Sequence, residues 1–383
     1  MAVGQSDDVT PLDAIAGAIA ECRAALGDLQ PQAGILFSAF DSFDQSVATA
    51  LREAFPDVTV VGSTSAAEIS SSGGYQEDSI TLAMFASDVV DVTTGLGTGL
   101  SRDSDAACRV AAAQALAATD REPKVCIMLA EAYGADPQAT LDAMARALPD
   151  GVVIVGGASA GRDASALRPS YQFAGDEVTD DGVAILLFSG ALSVSTAVGT
   201  GWRTLGATGT VTRSTSGAVL EIDYRPATEF LARYLDVTGP ASFGNPLSVV
   251  EAGGDEPYYR AIAGTDPAVG SVFLAGEVPV GAVVQLSTAD TDQILGGTRA
   301  ALTRAVEAFP AGVQPEAALI FSCAVRRFLL GSRTRVETEL ARSVLGTTIP
   351  MAGIYCYGEI GPVRGVETSR YFNETFVTLL LGT

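Results

Sequence analysis

The chain of 383 residues contains no histidine, and this absence excludes more chemistry than any residue present suggests. Ser-His-Asp and Cys-His nucleophile arrangements are ruled out, as are the usual general base near neutral pH and the commonest haem and metal ligand. Lysine is nearly as scarce, since Lys124 is the only one among 23 basic residues, against 45 acidic ones. The net charge of −22 repels phosphate backbones and anionic lipid, so neither a nucleic-acid nor a membrane partner is expected. Five scattered cysteines, Cys22, Cys108, Cys126, Cys323 and Cys356, form no Cys-x-x-Cys pair, which argues against a disulfide framework and a zinc site. No stretch approaches the roughly 18 apolar residues of a membrane span, and Asp7 and Asp8 stand where a signal peptide would be basic. The expectation is a cytoplasmic protein with no metal and no other cofactor.

What is present is a regular alternation of strand and helix patterns. Thr10-Pro11 caps a helix over 11–27, with Leu12, Ile15, Ile19 and Leu26 at helical spacing. Ile35 to Ser38 reads as a buried strand, Gln45 to Phe55 as a helix ended by Pro56, and Val58 to Val61 as a second strand. This strand, helix, strand, turn, strand order covers 34–85 and recurs over 125–188 and 318–381. Each copy shows a glycine followed six residues later by an acid: Gly62 and Glu68, Gly157 and Asp163, Gly353 and Glu359. A strand, Gly281 to Leu286, and a helix, Thr291 to Phe309, precede the last copy, and the turn-rich run 237–247 reads as a domain junction. The fold class is therefore α/β, with mixed sheets and packed helices in two lobes built on the repeated strand-helix-strand-strand unit. The boundaries are 1–32 for the N-terminal helix, 33–237 for one domain and 238–383 for the other.

The chemistry concentrates at the strand ends of the last copy, where α/β folds open their clefts. Cys323, Arg326, Tyr357, Glu359 and Asn373 are expected to converge there. The strands ending near Ser322 and Ala352 should be parallel and the one starting near Thr375 antiparallel, which brings all three ends to one edge. Tyr355 and Tyr357 should face one side of an extended segment. Glu359, between Gly358 and Gly361, either receives a ligand amine or accepts backbone N–H groups to fix a tight turn. Arg326 either forks onto a ligand carboxylate or pairs with a surface acid. Cys323 is a ligand contact, a redox-sensing thiol or a packing thiol, with Arg326 and Arg327 near enough to lower its pKa. Arg162 closes a glycine run, Gly156 to Gly161, that lacks the ending of a phosphate loop, and is kept as a contact candidate. Trp202 reads as a core anchor.

Phe321-Ser322-Cys323 with Arg326, then Gly358-Glu359-Ile360-Gly361-Pro362 and Asn373-Glu374-Thr375, resemble the C-terminal domain of the FIST family. Gly201-Trp202-Arg203-Thr204-Leu205-Gly206, Val211-Thr212 and Glu221-Ile222-Asp223 resemble the end of that family's N-terminal domain, and the order holds over about 33–382. Val325 stands where the family tends to have glycine, and Arg327 is extra. The resemblance implies an intracellular sensory protein, not an enzyme, that binds a small polar, amino-acid-like ligand and signals through a separate protein partner. Two alternatives are an enzyme using Cys323 with Arg326 and Glu359, and a haem-linked sensor ligated by Cys or Tyr.

Overall fold

The computed structural model describes residues 1–161, 170–235, 244–363 and 368–383. The first helix, Pro11–Leu26, starts where Thr10 accepts a hydrogen bond from the Asp13 N–H, and it buries Ala14, Ile15, Ala18, Ile19, Cys22 and Leu26. Its inward stripe follows from apolar residues at three- and four-residue spacing. A short strand absent from the sequence reading, Ala2–Ser6, precedes it and pairs antiparallel with Ile80–Phe85.

Among the described residues, three six-stranded sheets form the body. The first runs Ala2–Ser6, Ile80–Phe85, Ala33–Ala39, Thr59–Ser65, then a hairpin, Gln172–Ala174 and Glu177–Thr179. The second runs Val90–Thr98, Gly182–Gly190, Pro123–Ala130, Val153–Ala158, then the hairpin Gly358–Pro362 and Ser369–Phe372. The third runs Ser193–Gly199, Phe376–Gly382, Ala317–Cys323, Met351–Cys356, then the hairpin Ala67–Ser70 and Gly74–Gln76. In each sheet the first strand of a segment lies parallel to its second and antiparallel to its closing strand. Each hairpin, however, leaves its own segment and completes the sheet of another. Two lobes are not confirmed by this arrangement, because one apolar core takes Phe37, Leu129 and Phe321 from all three sheets.

A fourth, wholly antiparallel sheet, built from strands between Arg203 and Thr288, is inserted between Ser193–Gly199 and the helix Thr291–Ala308. In the other two sheets the corresponding strand leads directly to its helix, Pro11–Leu26 or Ser104–Ala117. The junction run 237–247 lies largely outside the described residues. No described helix is long and apolar enough to cross a membrane.

Register corrects one expected equivalence. Gly62 lies beside Leu36 and Gly353 beside Ile320, and in the second sheet Gly156, not Gly157, takes this place beside Met128. A methyl group on Gly62, Gly156 or Gly353 would lie 2.0, 2.0 or 2.3 Å from the carbonyl oxygen of that neighbour. Gly353→Ala is therefore expected to lower stability by about 1–3 kcal/mol, the cost of overpacking a tight interior. Urea unfolding measures this, and an unchanged midpoint would show that the strand pair yields freely.

Candidate functional site

The residues chosen from the sequence do not share one element: Tyr355 stands on a strand of the third sheet, Arg326 on the helix that follows Ala317–Cys323, and Glu359 on a strand of the second sheet. Arg326, on the short helix Ala324–Leu330, is fully buried on the helix-covered face. Its Nε and Nη2 reach Glu337 Oε1 at 3.2 and 2.5 Å, Nη1 donates to the Thr200 carbonyl at 2.6 Å, and Nη2 also donates to the Ile294 carbonyl and Thr298 Oγ1. Glu337 accepts in addition from Ser322 Oγ at 2.9 Å and Tyr355 OH at 2.8 Å. Burial opposes the charged form of Glu337, yet Arg326 and these donors hold its carboxyl below the ordinary value. This network is closed upon itself, which makes Arg326 and Tyr355 a cross-link between helices and sheet. Arg327 turns instead to Tyr75 OH at 3.0 Å and Glu77 at 2.6 Å.

Glu359 makes the turn-fixing bonds. Its Oε2 accepts from the Thr375 N–H at 3.0 Å and from Thr375 Oγ1 at 2.8 Å, and Cys356 Sγ approaches Oε1 at 3.6 Å. Glu68 does the same for Ser79, through its N–H at 3.2 Å and Oγ at 2.6 Å. In the second segment Gln172 accepts from the Gly182 N–H at 3.2 Å. Asp163, the acid expected in that role, lies outside the described residues, as does Arg162. Each of these three side chains thus sits on a lent hairpin and holds the start of its own segment's closing strand. Burial pushes the Glu68 carboxyl up to about 7 and that of Glu359 up to about 8. Cys323 is buried at the same edge, and its thiol is raised well above its ordinary value by burial, then by Glu359 and Glu374. That direction is opposite to activation by the neighbouring arginines.

The residue before each held position is acidic: Asp78, Asp181 and Glu374. Asp78 is exposed to solvent. Asp181 accepts from the Ser101 N–H at 2.7 Å and from Ser101 Oγ at 2.8 Å, one donor on each carboxylate oxygen. Glu374 is wholly buried, and neither of its carboxylate oxygens has a hydrogen-bond partner. The adjacent Asn373 is 1% exposed, and its Oδ1 and Nδ2 are unpartnered too. Native interiors leave few such groups unmet, and the four at this one turn set it apart from its counterparts in the other two segments. The left-handed backbone of Glu374, φ 59°, is matched by φ 54° at Asp78 but not at Asp181, so the first and third segments share a turn conformation that the second lacks.

The inserted sheet explains the difference. Ser101 lies just beyond the strand Val90–Thr98, where the chain turns into its helix. In the third segment the chain beyond Ser193–Gly199 departs at Thr200 into the insertion, so no serine arrives to meet Glu374. Trp202 instead donates its Nε1–H to the Glu374 backbone carbonyl at 3.0 Å, leaving the carboxyl covered but unpaired. Tyr357 stands where the chain crosses from one sheet to the next, its hydroxyl on the Gly161 carbonyl at 2.8 Å and its ring against Tyr133. It does not share the buried setting of Tyr355. A surface groove of about 280 Å³ beside Leu51, Arg52, Pro56 and Asp176 includes none of these residues. Among the described residues no group of three or more acidic or cysteine side chains is placed to hold a metal ion.

The FIST N domain matches residues 32–225 and the FIST C domain residues 227–362. The chain belongs to the FIST family. A relative of this FIST protein, an uncharacterized protein of Mycobacterium tuberculosis strain H37Rv, is 27% identical over 260 residues, covering 65% of this chain and 66% of the relative. An uncharacterized protein of Mycobacterium bovis is 26% identical over 239 residues, 60% of each chain. The chain thus spans just under two thirds of the length of the curated relatives it matches. Among solved structures, that of PurLQS from Thermotoga maritima matches at a TM-score of 0.22 and 11% identity, covering 100% of this chain and 72% of that one, a likeness too slight to bear on the fold. Asn373 and Glu374 lie beyond the end of the FIST C match, in the turn before the strand Phe376–Gly382, which pairs with Ala317–Cys323.

Two residues central to this geometry escaped the sequence reading. Glu337 shares its helix face with Thr334, Thr338 and Ala341, all buried, and its placement on that inward stripe was the available signal. Glu374 was quoted only as part of a motif. The acid repeated before Ser79, Gly182 and Thr375 could have singled it out.

Proposed function

We propose that this FIST protein is a non-enzymatic sensory module that binds a small polar ligand at Asn373 and Glu374 and passes the signal to a separate protein partner. FIST domains are associated with sensory and signal-transduction roles. The observation that carries the reading is the set of four buried, unpartnered polar atoms at the turn that leads into Phe376–Gly382, beside Trp202 of the insertion. A buried, protonated Cys323 and the lack of histidine both oppose nucleophilic catalysis. Output has a route through the insertion, which is tied to the site by Arg326 to Thr200, Trp202 to Glu374, and Arg260 to the Tyr371 carbonyl at 3.0 Å.

Thermal-shift screening against amino acids and small amines tests the reading. Any compound that raises the melting temperature should bind Glu374→Gln about 10- to 100-fold more weakly, the equivalent of roughly 1.5–3 kcal/mol for a hydrogen bond to a charged group. Equal affinities for wild type and variant would remove Glu374 from the site.

A further inference from the structure

Resting on that reading, we infer that the part of the ligand recognised at Glu374 is a 1,2-amino alcohol, an amine and a hydroxyl on adjacent carbons. The protein supplies its own template. In the second segment Asp181, in register with Glu374, receives the N–H and the Oγ–H of one serine, donors carried on neighbouring carbons. In the third segment the same acid position has lost that serine to the insertion and keeps both oxygens open. A ligand that repeats the donor pair replaces the missing residue.

Counting donors and acceptors narrows the class further. With Glu374 ionised beside a bound cation, the four unmet atoms are three acceptors, Glu374 Oε1 and Oε2 with Asn373 Oδ1, and one donor, Asn373 Nδ2. A protonated amino alcohol offers N–H groups to Glu374 and to Asn373 Oδ1, its O–H to the second Glu374 oxygen, and its hydroxyl oxygen to Nδ2. A simple alkylammonium or a guanidinium has no acceptor for Nδ2. A diol carries no charge to offset the Glu374 carboxylate, whose ionisation in this interior needs a cation beside it.

Calorimetric titration of the full chain with 2-aminoethanol, propylamine and ethylene glycol tests the inference. The expected result is binding of 2-aminoethanol at least tenfold tighter than either of the others, with Glu374→Gln abolishing the preference. Propylamine or ethylene glycol binding as well as 2-aminoethanol, or 2-aminoethanol failing to bind, overturns it. The same titrations with alanine and glycine separate this inference from the site reading beneath it. If one of them binds in a Glu374-dependent way while 2-aminoethanol does not, the site stands and only the amino-alcohol class falls. If Glu374→Gln leaves every binder unaffected, both fall. Asn373→Ser, which keeps a small polar side chain at the turn, should reduce the preference severalfold, and no change there also counts against the inference.

Discussion

Raising the pH from 5 to 9 is expected to cost this protein several kilocalories per mole of stability, with Glu68 and Glu359 as the main causes. Both carboxyls ionise at their ordinary value once the chain unfolds but hold their protons longer in the folded state. A carboxyl raised by burial contributes its full stability below the unfolded pKa, and that contribution is lost as pH rises through the folded pKa. At about 1.4 kcal/mol per unit, a rise from 4.5 to about 7 for Glu68 corresponds to roughly 3 kcal/mol, and from 4.5 to about 8 for Glu359 to roughly 5 kcal/mol. Glu374, displaced in the same direction, adds to the slope. Glu359→Gln copies the protonated carboxyl in shape, and Gln172 already performs the same task as an amide. The variant should match wild type near pH 5 and exceed it by several kcal/mol near pH 9. Urea unfolding across that range measures the difference, and parallel profiles for the two proteins would mean that Glu359 stays ionised in the fold.

The other large effect lies on the helix-covered face. Removing one member of the Arg326–Glu337 pair leaves its partner charged in a closed interior, so Arg326→Met or Glu337→Gln should each lower stability by about 3–5 kcal/mol. The double replacement Arg326→Met/Glu337→Met removes both charges and should recover much of the loss, because well-packed apolar groups often substitute for a buried pair at little cost. A double-mutant cycle by chemical unfolding decides this. Additive losses would show that the two side chains do not act as a unit, despite sharing Thr298 and the Ser322–Tyr355 edge.

The local elements were legible because their signals are local. Thr10-Pro11 opens the first helix, and runs such as Ala318 to Phe321 form strands wherever they pack. The expected strand directions also hold: Ala317–Cys323 is parallel to Met351–Cys356 and antiparallel to Phe376–Gly382, so Cys323 and Thr375 meet on one edge with the Cys323 N–H on the Thr375 carbonyl at 3.1 Å. Partner choice was not legible, since a hairpin's pattern says that it will pair but not with which sheet. The second segment misled for a separate reason. Its hairpin starts 14 residues after Ala158, whereas Glu68 and Glu359 lie within three residues of the end of the strand before them, so a fixed offset of six found Asp163 where space had chosen Gln172. Within the site, Asn373 was legible as a polar residue at a strand start. The burial of Glu374 was not, because an acid in a polar turn reads as solvated unless something distant covers it, and here the insertion around Trp202 does so.

The lending of hairpins between sheets also governs how the chain comes off the ribosome. The first sheet cannot close until Gln172–Thr179 has been made, and the second waits for Gly358–Phe372. Ala67–Gln76, synthesised early, has no strand to join until Met351–Cys356 emerges nearly 300 residues later. Contacts so far apart in sequence form slowly, and strand edges left open meanwhile invite pairing with other chains. The nascent protein therefore remains unfinished for almost the whole of its synthesis, and the final strands close two sheets together.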